Sequence, residues 1–385
     1  MPHLFVRRFA AAQTPRTPFE SNGVKFLFVS AGDDGIVGAE ANGCRFLLRY
    51  VPRGDRTLLK ADKITRPPFL DAVKRALIEL AASSGATIEA KNFDEIKQAA
   101  IGRGFYDPNA FIASLDRSKK LWIEVGFGSG RHILQNAESF ADKIHLGVEI
   151  HHPSAERLLK RAEAKRANNI AAVLCDAKTL FAAMPAACCE RIFLHFPVPW
   201  DKSPSRRVFS PAFANEALRI LEANGVLHLR TDSEAYFAAA LEIAQKLEGA
   251  TAASKTGEEA ITRSKYEDRW RKMNKTIFDL FLTNLRDRET ANIAYNFDFP
   301  SGCAAKNEIG RDLIAKAEAF LLRATKKWQL EGGGSMTRLI MGDPNALQNL
   351  YLLTERDRVS YFPAAPLPTR ANLLAHQALI EALYG

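Results

Sequence analysis

Apolar and polar positions along the chain follow two periods, and the dominant period changes twice. Up to residue 65, the runs Val24-Lys-Phe-Leu-Phe-Val-Ser30, Gly43-Cys-Arg-Phe-Leu-Leu-Arg-Tyr-Val-Pro52 and Thr57-Leu-Leu-Lys-Ala-Asp-Lys-Ile-Thr65 alternate or run apolar between Gly, Asn and Asp turns. That pattern predicts strands. After Pro67-Pro68, Leu70, Val73, Leu77, Ile78 and Leu80 recur at helical spacing, which predicts one helix. From about 119 to 286 short apolar runs (121–127, 143–150, 170–176, 191–197, 226–232) alternate with amphipathic stretches (133–141, 154–167, 212–223, 233–248). Strands alternating with helices predict a parallel sheet covered on both faces. The tail returns to β-like runs (294–299, 319–330, 337–342, 350–356, 358–362) and closes with a helix over 372–383. A proline-then-helix pattern after β segments occurs near residue 66 and again at the end. Chance similarity of Ala/Leu-rich helices explains that echo as well as duplication does.

These patterns divide the chain into a β-rich region with one helix (1–110), an α/β domain (111–288), and a β-rich region ending in a helix (289–385). A length of 385 residues fits two or three domains. With 47% hydrophobic and 25% charged residues the composition is that of a globular protein. No apolar run reaches the roughly 18 residues of a membrane span, and the N-terminus lacks the apolar core of a signal peptide. A cytoplasmic protein without membrane attachment is the expectation. The cysteines (Cys44, Cys175, Cys188, Cys189, Cys303) include no C-x-x-C, and their odd number argues against a disulfide framework. His151-His152 lacks a partner at metal spacing, so no metal is expected. A net charge of +9 favours a polyanionic partner.

The strongest local signal is Leu121-Trp-Ile-Glu-Val-Gly-Phe-Gly-Ser-Gly130, an apolar strand running into three glycines with a helix after them. Gly126, Gly128 and Gly130 permit a tight turn and close backbone approach to a ligand at a helix N-terminus. A dinucleotide fingerprint would need glycine where Arg131 stands, so NAD fits poorly. G-x-G-x-G preceded by Glu124 instead resembles the first motif of class I (Rossmann-like) methyltransferases. That resemblance implies S-adenosylmethionine as cofactor, with Glu124 facing its ammonium group. Glu149 and Asp176 end the next two strands, suited to ribose hydroxyls and to the adenine amino group respectively. Each alone could be a helix N-cap, but three acids after three consecutive strands, at the edge where such sheets bind ligands, form a pattern.

After the fourth strand comes His195-Phe-Pro-Val-Pro-Trp200-Asp-Lys-Ser-Pro-Ser-Arg-Arg207, then Thr231-Asp232, Ser264-Lys265-Tyr266-Glu267 and Ile277-Phe-Asp-Leu. In this order, over 119–286, the segments resemble the bacterial tRNA (guanine-N7-)-methyltransferases. That family carries Phe-Pro-Asp-Pro-Trp, then Thr-Lys-Phe/Tyr-Glu and a closing strand. The resemblance implies methylation of N7 of a guanosine in tRNA, usually guanosine 46 of the variable loop, with no obligate protein partner. It makes Lys202, Asp232, Ser264, Lys265, Tyr266 and Glu267 substrate residues. Glu267 has the chemistry to accept from guanine N1–H and the exocyclic amine while N7 points at the methyl.

The chain departs from the family at Val198, where the family's aspartate, usually credited as catalytic, stands. Guanine N7 has an in-plane lone pair and no hydrogen, so alignment can supply most of the rate without a base. Asp201, three residues on, is the candidate to take over part of that role. Lys202, Arg206 and Arg207, and residues 263–275 with six Lys/Arg against two acids, form basic patches suited to phosphate. The basic stretch 157–166 reads as a solvated amphipathic face. The rival readings are an exocyclic-amine nucleic-acid methyltransferase and a catalytically silent RNA-binding protein.

Overall fold

The computed structural model describes residues 1–65, 67, 70–94, 96, 104–257, 273, 275–288, 294–301, 304–312 and 314–385. The chain divides into two compact units, one made of residues 1–101 with 294–385 and the other of residues 102–293.

The first unit begins with β1 (His3–Arg7), β2 (Phe19–Ser21), β3 (Val24–Val29), β4 (Gly35–Ala41), β5 (Cys44–Arg53), β6 (Arg56–Ala61), α1 (Leu70–Ser83) and β7 (Thr87–Lys91). The seven strands form one antiparallel sheet in the order β2-β3-β4-β5-β6-β1-β7. Leu4, Val6, Phe26, Val37, Leu48 and Leu59 project from one face and bury Val73, Ala76, Leu77 and Leu80 of α1. Alternation along each strand therefore sorts the sheet into a helix-covered face and a helix-free one.

The second unit runs β8 (Phe105–Tyr106), α2 (Pro108–Ala113), β9 (Leu121–Val125), α3 (Arg131–Ser139), β10 (Ile144–Glu149), α4 (His152–Ala164), β11 (Ile170–Leu174), α5 (Ala177–Ala183), β12 (Cys189–His195), α6 (Pro211–Ile220), β13 (Leu221–Thr231), α7 (Glu234–Gln245), β14 (Ala250–Thr256) and β15 (Phe278–Asn284). Its eight strands lie in the order β14-β15-β13-β12-β9-β10-β11-β8. Strands β8 to β13 pair in parallel, and β15 inserts antiparallel between β13 and β14. From β9 the chain winds outward through β10 and β11, then returns to β12 on the other side. The order reverses between β9 and β12, and such a switch point opens a crevice at the carboxyl ends of the strands. This is the parallel, doubly wound sheet that the alternating pattern predicts, and it agrees with the class I methyltransferase fold that the resemblance of the glycine loop implies. All five residues of β9 are buried, as expected of a central strand covered on both faces.

The chain returns to the first unit with β16 (Ile314–Ala317), β17 (Phe320–Gln329), β18 (Ser335–Asp343), β19 (Ala346–Thr354), β20 (Val359–Phe362) and α8 (Arg370–Tyr384). The five strands form an antiparallel meander in sequence order, packed on Ala375, Leu379 and Leu383 of α8. Strands β2 to β6 followed by α1 make the same arrangement, so the faint echo in the sequence corresponds to a repeated supersecondary unit. Ser30, just after β3, bridges antiparallel to Leu330, just after β17. Around that bridge Phe28, Ile36 and Leu47 share a core with Trp328, Met336, Tyr351 and Phe362. Residues 294–299, which the sequence pattern reads as a strand, lie outside any helix or strand; Phe297 and Phe299 pack on the α8 core without a ladder. No described helix is long and apolar enough to cross a membrane.

Candidate active site

The candidate cofactor residues of the second unit sit at or just beyond the ends of successive strands. β9 ends at Val125, and the Gly126 N–H donates to Val148 O (2.8 Å), which fixes the loop to β10. Gly126, Gly128 and Gly130 all have positive φ (71°, 50° and 71°), a region that side chains enter at a cost. A Cβ at Gly130 would lie 2.7 Å from Leu158 Cδ1, so this glycine is also required by the packing of α4. A Cβ at Gly126 would meet nothing within 4 Å. The space beside Gly126 is open, as a ligand-facing backbone requires.

Glu149, at the end of β10, is held by backbone donors. Gly128 N–H donates to Oε2 (3.3 Å), and Ile150 and His151 N–H donate to Oε1 (2.9 and 3.1 Å). The carboxylate thereby ties the glycine loop to the β10–α4 turn. Asp176 caps α5, accepting from Lys178 and Thr179 N–H through Oδ1 (2.9 and 3.3 Å), and its residue stays exposed. Burial drives the neighbouring Cys175 thiol up to about 12, so it stays protonated and inert. Glu124 is 6% exposed and turned inward, accepting from His132 Nδ1 of α3 at 2.9 Å.

Around Glu124 lies a polar row that the sequence reading did not single out. His228 donates through Nε2 to Asp279 Oδ1 (2.7 Å), and Arg230 Nη1 donates to both Asp279 oxygens (2.8 Å each). His228 Nδ1 then accepts from His195 Nε2 (3.1 Å), and the His195 ring lies 4.6 Å from that of His132. Burial, then the neighbouring His132, His228 and Arg230, hold His195 well below the ordinary imidazole range; burial lowers His228 too. The signal present in the sequence was His228 and Arg230 at alternate positions of the apolar run in β13, with His195 closing β12.

The segment after β12 is conformationally unusual. Phe196 and Trp200 both have positive φ (50° and 47°), bracketing Pro197-Val198-Pro199. Such outliers cost about 1–3 kcal/mol each and persist only where the surroundings enforce them. Phe196 N–H donates to Arg230 O (2.7 Å), and Arg206 stacks on Trp200 with its guanidinium carbon 3.6 Å from the ring centroid. Arg207, which the sequence grouped with phosphate-contacting cations, is 9% exposed and turned inward. It donates to Pro199 O (2.7 Å) and Ala235 O (3.3 Å), and so braces the loop from behind. Asp201 lies 3.6 Å from Arg207 with its side chain 66% exposed. Val198 is 60% exposed, and Lys202 is exposed.

Asp232, beyond β13, accepts from Lys275 Nζ at 2.7 Å. The helix cap beside it is Ser233, whose Oγ accepts from Tyr236 N–H, while Thr231 Oγ1 accepts from Ser233 N–H. Ser264, Lys265, Tyr266 and Glu267 lie outside the described residues, as does most of the basic stretch 263–275. On α4, Lys160 pairs with Glu156 and Arg161 donates to Ser129 O, the behaviour of a solvated structural face.

Residues 118–280 match the profile of a family described as putative methyltransferases. Among solved structures, the 30S ribosomal A1408 methyltransferase from an uncultured bacterium is 14% identical with a TM-score of 0.34, covering 47% of this chain and 95% of that one. The tRNA (guanine-N(7)-)-methyltransferase of Wolinella succinogenes is 36% identical over 99% of both chains. Its counterpart in Campylobacter fetus is 32% identical over 95% of both. That of Helicobacter pylori strain 26695 is 34% identical over 87% of this chain and 86% of the other. The likeness thus includes the flanking regions as well as the methyltransferase unit, and the chain belongs to the tRNA (guanine-N(7)-)-methyltransferase family.

Proposed function

We propose that this protein transfers a methyl group from S-adenosylmethionine to N7 of a guanosine in tRNA, in the cytoplasm, with guanosine 46 of the variable loop as target. The observation that carries the reading is the end-to-end likeness to the Wolinella succinogenes enzyme. The site's chemistry supports it: an open glycine turn, with Glu149 and Asp176 at successive strand ends on the carboxyl edge of the sheet. Glu149 would hold the ribose, Asp176 the adenine amine through the oxygen its cap leaves over, and Gly126, Gly128 and Gly130 the methionine portion. Glu124 acts on that portion from behind the loop, its orientation set by His132. The cofactor, when bound, supplies an electrophilic methyl on a sulfonium.

The residues around guanine need only bind and orient, because N7 attacks through a lone pair that carries no proton. Lys202 and Asp232 flank the Pro197–Pro199 loop on the same sheet edge and are assigned to the tRNA. Residues 264–267 are assigned to the guanine by their likeness to the family's Thr-Lys-Phe/Tyr-Glu. Asp201 contributes through the loop, by its pairing with the Arg207 that braces Pro199. The test is to map methylated nucleotides in tRNA from cells with and without this gene. Loss of N7-methylguanosine at one position is expected. Loss of an exocyclic-amine methyl would instead favour the other enzyme class, and an unchanged map would favour a silent binding protein.

A further inference from the structure

The helix-free face of the N-terminal sheet is built in rows. Arg53 of β5 stands directly opposite Arg56 of β6. Two residues along, Val51, Leu58 and Phe5 lie side by side across β5, β6 and β1; two further, Arg49, Lys60 and His3 do the same. At roughly 3.3 Å per residue the two cationic rows are about 13 Å apart. The apolar row between them is half-buried, and the Arg56 guanidinium carbon lies 5.1 Å over the Phe5 ring.

Acids answer only part of this charge. Asp55 and Glu89 lie beside Arg7 and Arg56, and Asp34 beside Arg49. Arg53 and Lys60 have no ion-pair partner among the described residues. Burial pushes the Lys60 ammonium below its usual range, Arg49, Arg53 and Lys63 push it further the same way, and Asp34 offsets part of that shift. Like charges directly opposite each other destabilise a sheet, and here Arg53–Arg56 and Arg49–Lys60 are both such pairs.

We infer that this face is a second contact surface for the tRNA backbone, an inference that rests on the tRNA-methyltransferase reading. Two cationic rows about 13 Å apart cannot chelate one small anion, but they match a polyanion that presents many phosphates. The apolar row with Phe5 suits riboses and unpaired bases, as on other sheet platforms that bind RNA. In each opposed pair one cation already has an acid beside it, Arg56 with Asp55 and Glu89 and Arg49 with Asp34, which leaves Arg53 and Lys60 for phosphate.

The test uses the full chain and an unmodified tRNA transcript, with affinity measured across a salt series. Variant Arg53→Ala/Lys60→Ala removes the two cations that have no acidic partner. Its log affinity against log salt should be flatter by about 1.5, which is a roughly tenfold weaker binding near 0.15 M salt. Arg53→Lys/Lys60→Arg should restore the wild-type slope, which separates charge from damage to the sheet. An alanine variant with unchanged slope and affinity overturns the inference. So does loss of binding to phosphatidylserine vesicles with tRNA binding intact, which would assign the face to a membrane surface. Methylation by the wild-type protein is read in parallel. A methylating enzyme with an insensitive slope removes only this surface, whereas a lost slope without methylation removes only the enzymatic reading.

Discussion

His195 Nε2 donates to His228 Nδ1 across 3.1 Å, and this bond exists only while His228 is neutral at that nitrogen. His228 uses its other nitrogen on Asp279, so protonation at Nδ1 would set two N–H groups against each other. Burial holds both imidazoles below the ordinary value near 6.5. A histidine with a depressed folded-state pKa binds fewer protons folded than unfolded. Its contribution to stability is therefore complete above the unfolded value and is lost as pH falls below it. Thermal unfolding of the 102–293 unit should shift to lower temperature from pH 6.5 downward, by on the order of 1 kcal/mol per pH unit for each histidine engaged. His195→Gln, which cannot take up a proton, should flatten that dependence. An equal slope in wild type and variant would remove His195 from the account.

Much of the second unit was legible in the sequence, because each of its central strands ends at a chemical marker: Gly126, Glu149, Asp176, Pro197, Asp232. Boundaries were less so. Leu221-Glu-Ala continues the helical spacing of α6, yet the helix stops at Ile220 and these residues begin β13. β4 escaped notice because Gly35 and Gly38 interrupt its apolar pattern; both lack a Cβ for reasons of space, Gly38 against the Phe28 ring at 2.4 Å. The Ser30–Leu330 bridge joins segments separated by the whole methyltransferase unit, and no local period reports such a pairing. Asp176 shows the limit for the site itself. Its cap and its assigned ligand contact have the same sequence signature.

The glycine loop separates a packing role from a conformational one. Gly130→Ala adds a methyl 2.7 Å from Leu158 Cδ1 as well as a positive-φ penalty. Gly126→Ala incurs only the backbone penalty of about 1–2 kcal/mol, because the space beside it is open. Gly130→Ala should be the less stable of the two, by about 1–3 kcal/mol from overpacking. Gly126→Ala should lose S-adenosylmethionine affinity out of proportion to its stability loss. Chemical denaturation with calorimetric titration reads both, and equal stability in the pair would count against the packing argument.

Asp176 can be tested with its cap preserved. Asp176→Ser keeps an oxygen able to accept from Lys178 and Thr179, whereas Asp176→Ala removes the cap at a cost of about 0.5–2 kcal/mol. If the carboxylate holds the adenine amine, both variants should weaken cofactor binding by about 1.5–3 kcal/mol, and only alanine should also lower stability. Glu149→Ala should weaken binding at least as much, since it also frees three backbone donors of the loop. Unchanged affinity in Asp176→Ser and Glu149→Ala would sink the assignment.

Val198 decides whether the family's aspartate is essential here. Its side chain stands on a loop whose ends are fixed by Phe196 on Arg230 and by Arg207 on Pro199, and it is 60% exposed. A carboxylate at this position would be solvated, so Val198→Asp avoids the roughly 1–3 kcal/mol that a buried unsatisfied polar group costs. Stability should change little, and any effect should appear in the rate. Guanine N7 has no proton to surrender, so the aspartate's contribution is limited to orientation and to charge near the sulfonium. The expected result is that wild type forms N7-methylguanosine and that Val198→Asp changes the single-turnover rate by less than about tenfold, a barrier change of roughly 1.4 kcal/mol or less. Methyl transfer from labelled cofactor to unmodified tRNA, with borohydride–aniline cleavage to locate the product, reads rate and position together. Product from Val198→Asp but none from wild type would mean that the natural chain binds without turning over. Product on an exocyclic amine would mean that the loop presents a different edge of the base.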